Sequence, residues 1–215
     1  MNYFHNSNFV ILGLVFIVAF YAFVNLAVAV VSGGSIVVLD SYLVNLFYFY
    51  REQWLAIFFS LVTFLGGSVA VAIIAVALTA FFFVRRKLAY IFAFIITFFG
   101  AEFSVYVLKE IIHRSRPPVD TAFLAENSFS FPSGHTTIAV ALYGFIIYFL
   151  LKELPSGLGR AVAFFIGFLL IFLIALSRLY LGVHFFSDII GGFLLGSLWL
   201  IIGIVISKIL SRRES

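Results

Sequence analysis

Residues 88–117 read LAYIFAFIITFFGAEFSVYVLKEIIHRSRP. From Leu88 to Leu108 the only charge is Glu102; Lys109, Glu110, Arg114 and Arg116 then crowd together before Pro117 and Pro118. A helix needs about 20 apolar residues to cross a bilayer core. The stretch therefore reads as a membrane span that surfaces at a cationic end and is stopped by proline, which cannot continue a helix.

The rest of the chain repeats the pattern. Of 215 residues 64% are hydrophobic and 10% are charged, against about 25% charged in an average soluble domain. Mean hydropathy is +1.22. Spans are expected at about 9–31, 55–84, 88–112, 133–151, 160–178 and 185–207. The fold class is all-α: a polytopic membrane protein with six transmembrane helices in one bundle. The second span is long enough to be tilted or to run past the membrane. No hydrophilic stretch is long enough for another domain, so residues 1–215 form a single membrane-embedded unit. The opening octapeptide MNYFHNSN has no Lys or Arg, so the first apolar run is expected to be a retained span, not a cleaved leader.

Between the first two spans, residues 36–53 are apolar but carry Asp40, Asn45, Arg51 and Glu52. They read as a helix lying in the membrane interface, or as a re-entrant connector.

Charge placement gives sidedness. Arg85, Arg86, Lys87, Lys152, Arg160, Lys208, Arg212 and Arg213 fall on one side of a six-span layout. The positive-inside rule makes that side cytoplasmic. A multi-pass protein of the cell membrane with both termini cytoplasmic follows. Three polar clusters then meet at the extracytoplasmic side: KEIIHRSRP at 109–117, PSGH at 132–135 and SRLYLGVHFFSD at 177–188.

Their chemistry suits a phosphoryl group. His184 and Asp188 are four residues apart at the start of span six and, if helical, share one face; a carboxylate on one ring nitrogen fixes the tautomer and leaves the other free to attack. Asp188 could instead complement a helix dipole. Ser133 and Gly134 open a helix whose first N–H groups can hold an anion, and His135 stands beside them as a general acid. A plain helix cap is the alternative. Lys109, Arg116 and Arg178 add cations that clamp phosphate oxygens; singly, each could be an interfacial anchor.

The order K-x6-RP, PSGH, SR-x5-H-x3-D resembles the type 2 phosphatidic acid phosphatase family, whose relatives include glucose-6-phosphatase and the vanadium haloperoxidases. The likeness is to its membrane lipid phosphatase branch, of the phosphatidylglycerophosphatase B or undecaprenyl pyrophosphate phosphatase kind. It covers the three motifs and the span layout, roughly residues 36–207. It implies a metal-independent phosphatase working through a phosphohistidine, with no cofactor and no metal. His184 would be the nucleophile, Asp188 its orienter and His135 the acid. Lys109, Arg116, Ser133, Gly134 and Arg178 would bind the phosphoryl oxygens. The substrate would be a lipid phosphate in the bilayer: undecaprenyl pyrophosphate, phosphatidylglycerol phosphate or phosphatidic acid. A phosphotransferase using the same intermediate, or a non-enzymatic lipid transporter, are the competing functions. No nucleic-acid partner is expected.

Other positions carry blander expectations. His113 and Arg114 read as solvated loop, and Asp120, Glu126 and Asn127 as loop residues with some chance of touching the headgroup. His5 reads as tail. Glu102, seven residues before Lys109, reads as a partner for Lys109 or another polar group. Gly66-Gly67-Ser68 and Gly191-Gly192 with Gly196 read as helix-packing surfaces. The GxxxG spacing allows a weak homodimer, with a monomer as the alternative. The 30 Phe read as lipid contact and bundle core.

Overall fold

The computed structural model describes residues 3–124 and 126–211, with side chains from residue 9 onward except at residue 119. The expectations for His5, Arg212 and Arg213 fall outside that description. The described residues form helices α1 (Tyr3–Val31), α2 (Ser35–Phe49), α3 (Gln53–Phe64), α4 (Ser68–Val84), α5 (Leu88–Ile112), α6 (Gly134–Glu153), α7 (Gly157–Tyr180) and α8 (Phe186–Ser211), with one 3-10 turn at Val119–Thr121 and no strand. Six segments are long and apolar enough to cross a membrane: Phe9–Val31, Gln53–Val84, Leu88–Ile112, Gly134–Glu153, Gly157–Tyr180 and Phe186–Ser211. These match the expected spans to within a few residues.

The second span departs from expectation. It is two helices, α3 and α4, broken at residues 65–67. A Cβ on Gly66 would lie 2.7 Å from Ile174 Cγ2 and 3.2 Å from His135 Cδ2, so only glycine lets the chain pass so close to α6 and α7. A helix break at membrane depth needs its freed backbone groups satisfied. Tyr143 Oη does this, donating to the Leu65 carbonyl at 2.7 Å. The GGS sequence is thus a joint, not an ordinary packing stripe.

α6 is the central helix, buried without interruption from Thr136 to Phe145. α8 lies against it at close range. A Cβ on Gly192 would sit 2.8 Å from the Ser133 carbonyl, and one on Gly196 would sit 2.6 Å from that of Thr137. The GxxxG face is therefore used inside the bundle. α1 turns Val10, Leu14, Ile17, Val18 and Tyr21 outward, as a lipid-facing span should.

The stretch between the first two spans is a helix, as read: α2 exposes Val38, Tyr42 and Phe49 and buries Asp40 and Val44, one turn apart. Arg51 fastens it to the rest of that end of the bundle. Its Nη1 donates to the Thr121 carbonyl at 2.8 Å and its Nε to the Tyr180 carbonyl at 3.0 Å. At the other end Lys87 pairs with Glu153 at 2.9 Å, joining the α4–α5 and α6–α7 turns. The three polar clusters all lie at the Arg51 end.

Candidate active site

A cavity of about 290 Å³ opens among α4, α5, α6 and the α7–α8 turn. Lys109, Arg116, Gly134, His135, Arg178 and His184 line it. Six of the eight expected site residues thus face one space. The other two stand behind it. Asp188 is fully buried beneath His184, and Ser133 is fully buried at the α6 N-terminus. There the Ser133 hydroxyl accepts from Thr136 N–H at 3.4 Å and from Thr136 Oγ1 at 3.1 Å. It is a helix cap, and it leaves the Gly134 and His135 N–H groups without intrahelical acceptors at the cavity wall.

His184 follows a turn at Gly182, whose φ of +70° suits glycine, and precedes the first turn of α8. Its Nδ1 is 3.2 Å from Asp188 Oδ2, and its Nε2 is 3.2 Å from Arg116 Nη1. A guanidinium can only donate, so Nε2 carries the lone pair and Nδ1 carries the proton. Burial pushes the imidazole down to about 4, overriding the pull of Asp188 upward. The ring is neutral near pH 7, and its Nε2 electron pair, on which Arg116 donates, lies at the cavity wall. Asp188 Oδ2 also accepts from Phe185 N–H at 2.8 Å and from Ser130 Oγ. One carboxylate therefore both orients the histidine and caps the start of α8.

The cations are held in fixed poses. Arg116 donates to the Val183 carbonyl at 2.7 Å, the Ser128 carbonyl at 2.6 Å and Ser128 Oγ at 2.9 Å. Lys109 Nζ meets the same Ser128 hydroxyl at 2.9 Å. Arg178, 1% exposed, donates to Thr63 Oγ1 at 3.0 Å and pairs with Glu126. Its Nε is buried with no partner among the described residues. Burial pulls the Glu126 carboxyl upward, but Arg178, Arg116 and His184 together hold it below its ordinary value.

Several loop expectations change. Arg114 is not a solvated loop residue: its side chain is 10% exposed and pairs with Asp40 at 2.6 Å and Asp188 at 2.5 Å. Glu126 lines the cavity, whereas Asp120 is exposed. His113 ends α5 in a left-handed conformation and packs edge-on against Phe129. Glu102 lines the cavity from α5 and makes no hydrogen bond or close ion pair among the described residues; Lys109, its expected partner, donates to Ser128 and acts on Glu102 only through its charge at longer range. Sequence reasoning missed Ser128, Ser130, Ser187 and Thr63 altogether, and noted Asp40 only as a charge in the 36–53 stretch without linking it to the site. Only Asp40 had a signal, being a charge in an apolar helix, where an ionisable group is expensive unless paired.

Known proteins with this arrangement place the chain. Residues 86–212, more than half of it, match the PAP2 superfamily. Phosphatidylglycerophosphatase B of Bacillus subtilis (strain 168) is 46% identical over 93 residues, 43% of this chain and 45% of that protein. Lipid phosphate phosphatase delta of Arabidopsis thaliana is 30% identical over 93 residues, 40% of this chain and 22% of that one. The chain thus spans less than half the length of either relative. Among solved structures, a transmembrane PAP2 type phosphatidylglycerolphosphate phosphatase from Bacillus subtilis superposes with a TM-score of 0.80 at 31% identity, covering 92% of this chain and 96% of that one. LpxE of Aquifex aeolicus superposes at 0.56 and 28% identity, covering 79% and 95%. Motifs, helix arrangement and these likenesses agree: the chain is a membrane protein belonging to the PAP2 superfamily.

Proposed function

We propose that this protein is a membrane lipid phosphatase that removes a terminal phosphate at the extracytoplasmic face through a phosphohistidine, without a metal. The observation that carries the reading is the His184 ring. It is neutral, fixed by Asp188 on one side, and presents an unprotonated Nε2, on which Arg116 donates, to a cavity walled by Lys109, Arg116, Arg178 and His135.

In the first step Nε2 attacks phosphorus and the bond from phosphorus to the lipid oxygen breaks. The leaving oxygen takes a proton from His135, which enters this step as the imidazolium beside the substrate's negative charge and is left neutral. The phosphorylated ring is cationic and keeps its Nδ1 proton, which Asp188 stabilises. In the second step His135 accepts a proton from water, the water oxygen attacks phosphorus, and the nitrogen–phosphorus bond breaks. Phosphate leaves and neutral His184 returns. Charge on the transferring group is met by Lys109, Arg116, Arg178 and the Gly134 and His135 N–H groups, the kind of preorganised stabilisation that supplies much of a catalytic rate. The leftover Arg178 Nε is a further donor for a phosphoryl oxygen.

A lipid substrate is supported by the cavity's setting. Ser68 and Val71 of α4 and Glu102, Val105 and Tyr106 of α5 form one wall of it, and further along the same two helices a second, apolar hollow of about 500 Å³ is lined by Val76, Phe83, Ile95, Phe98 and Phe99. A tail could lie there while the headgroup reaches His184. The Bacillus and Arabidopsis relatives, named for phosphatidylglycerophosphate and for lipid phosphates, support the same class. The cations flanking Lys87 and Glu153 at the far end support a cytoplasmic placement for that end, and so an outward-facing site.

The test is phosphate release in detergent from phosphatidic acid, phosphatidylglycerol phosphate and undecaprenyl pyrophosphate, with and without EDTA, comparing wild type with His184→Ala. Release by wild type alone, unaffected by EDTA and blocked by vanadate, is the expected result. An active His184→Ala protein would end the phosphohistidine reading, and loss in EDTA restored by a divalent metal would end the metal-free one.

A further inference from the structure

Asp188 uses only one of its two oxygens on His184. The other, Oδ1, is bound by Arg114 Nη1 at 2.5 Å. Arg114 reaches back with Nη2 to Asp40 Oδ2 at 2.6 Å. Asp40 is itself 0% exposed, and takes the Ser187 N–H on Oδ1 at 2.8 Å and the Ser187 hydroxyl on Oδ2 at 2.5 Å. The Ser187 oxygen in turn accepts from Arg114 Nη1 at 2.6 Å. The face of the guanidinium lies 4.3 Å from the Phe185 ring centre. A chain of buried, charge-assisted contacts therefore runs from α2, through the loop after α5, to the residue that orients His184.

Charge balance says what the chain does. A lone Arg114 against Asp188 would neutralise that carboxylate and weaken its hold on an imidazolium. With Asp40 present, Arg114 has its own counter-ion. The cluster of Asp40, Arg114 and Asp188 keeps one net negative charge, next to the ring that turns positive when phosphorylated. Low-dielectric surroundings make that charge count for more than it would in water. The geometry acts alongside the charge: a planar guanidinium gripped on both sides fixes the rotamer of the carboxylate it grips.

We propose that Asp40 and Arg114 are positioning residues for phosphoryl transfer. Arg114 locks Asp188 in place, and Asp40 neutralises Arg114 so that Asp188 keeps its charge for His184. The helix α2, which lies outside the six spans, thereby becomes part of the reaction machinery. The inference rests on the phosphatase reading only for its turnover readout.

The test compares wild type with Asp40→Asn, Arg114→Gln and the double variant. Turnover is measured on dioctanoyl phosphatidic acid in micelles, and the His184 Nδ1 proton resonance by NMR. Each single variant is expected to lose about 10-fold in kcat with KM changed less than about 2-fold, as a charge-assisted contact is lost behind the reacting ring. The double variant should be no worse than the poorer single one, because linked residues are non-additive. The Nδ1 proton should move upfield in Asp40→Asn as its hydrogen bond weakens. A folded Asp40→Asn protein with an unmoved Nδ1 resonance overturns the proposal, and so does a double variant whose losses simply multiply. If Asp40→Asn does not fold, Arg114→Gln breaks the Asp40–Asp188 link from its other end, and an unmoved Nδ1 resonance in that variant overturns the proposal equally. A wild type that releases no phosphate sinks the phosphatase reading but leaves the NMR comparison intact.

Discussion

Glu126 sits inside the cavity paired with Arg178, and its other oxygen is 3.8 Å from Arg116. An internal carboxylate thus occupies the cations that the proposed reaction assigns to the incoming phosphoryl group. Replacing it with Gln keeps the shape and removes the competing charge. Glu126→Gln is expected to lower KM for an anionic lipid by roughly 3-fold at low salt, as charge repulsion is relieved, and to strengthen inhibition by inorganic phosphate. A higher KM in steady-state assays would show that Glu126 helps the substrate bind instead.

The buried neutral His184 makes stability depend on pH. Its ordinary value is 6.5 and its folded value about 4. Between the two, the unfolded chain binds a proton that the folded protein refuses, so stability rises with pH. The contribution is complete above 6.5 and is lost as pH falls towards 4. It amounts to roughly 3 kcal/mol, at about 1.4 kcal/mol per unit. The lowered Glu126 carboxyl acts in the same direction at the acid end. Thermal unfolding in detergent should show Tm falling over this window, and His184→Gln should flatten the fall.

Asp188→Asn keeps the volume of the side chain but can turn an NH₂ towards His184 Nδ1. That favours the tautomer with its proton on Nε2, where Arg116 already donates. Turnover is expected to drop by about 10⁴-fold, in line with the known cost of a wrong tautomer, with substrate binding changed far less. A pre-steady-state assay locates the loss: formation of the phosphoenzyme should be the slowed step.

Gly192 tests the packing that places the α6 N-terminus. Its absent side chain admits the Ser133 carbonyl and Thr136, both part of the turn that presents Gly134 and His135. Gly192→Ala should cost about 1–3 kcal/mol through overpacking against backbone. Gly13→Ala on α1, where nothing lies within 4 Å, should be harmless. Unfolding midpoints of the two variants provide the check.

The spans were readable because each apolar run is local and long; 88–112, for instance, is α5 to the residue. The His184–Asp188 contact was readable from its four-residue spacing, but not its form: His184 stands in the turn before α8, and Asp188 reaches back to it from the first turn of that helix. Arg114 was not. Its partners Asp40 and Asp188 are each 74 residues away, and no local pattern distinguishes a cation bound at such range from one in solvent. The break between α3 and α4 lies between these cases. Gly66-Gly67 is visible in sequence, but whether two glycines pack or bend depends on Ile174 and His135 arriving from other helices.

That joint has a consequence for redesign. At Gly66 the cavity wall is main chain wedged between Ile174 and His135, so no side chain can be grafted there to reshape the space. The Glu102 and Tyr106 face of α5 also lines the cavity, and both residues are exposed. Reshaping the cavity for a different ligand therefore has to begin on α5, with the glycine joint treated as a fixed hinge-pin.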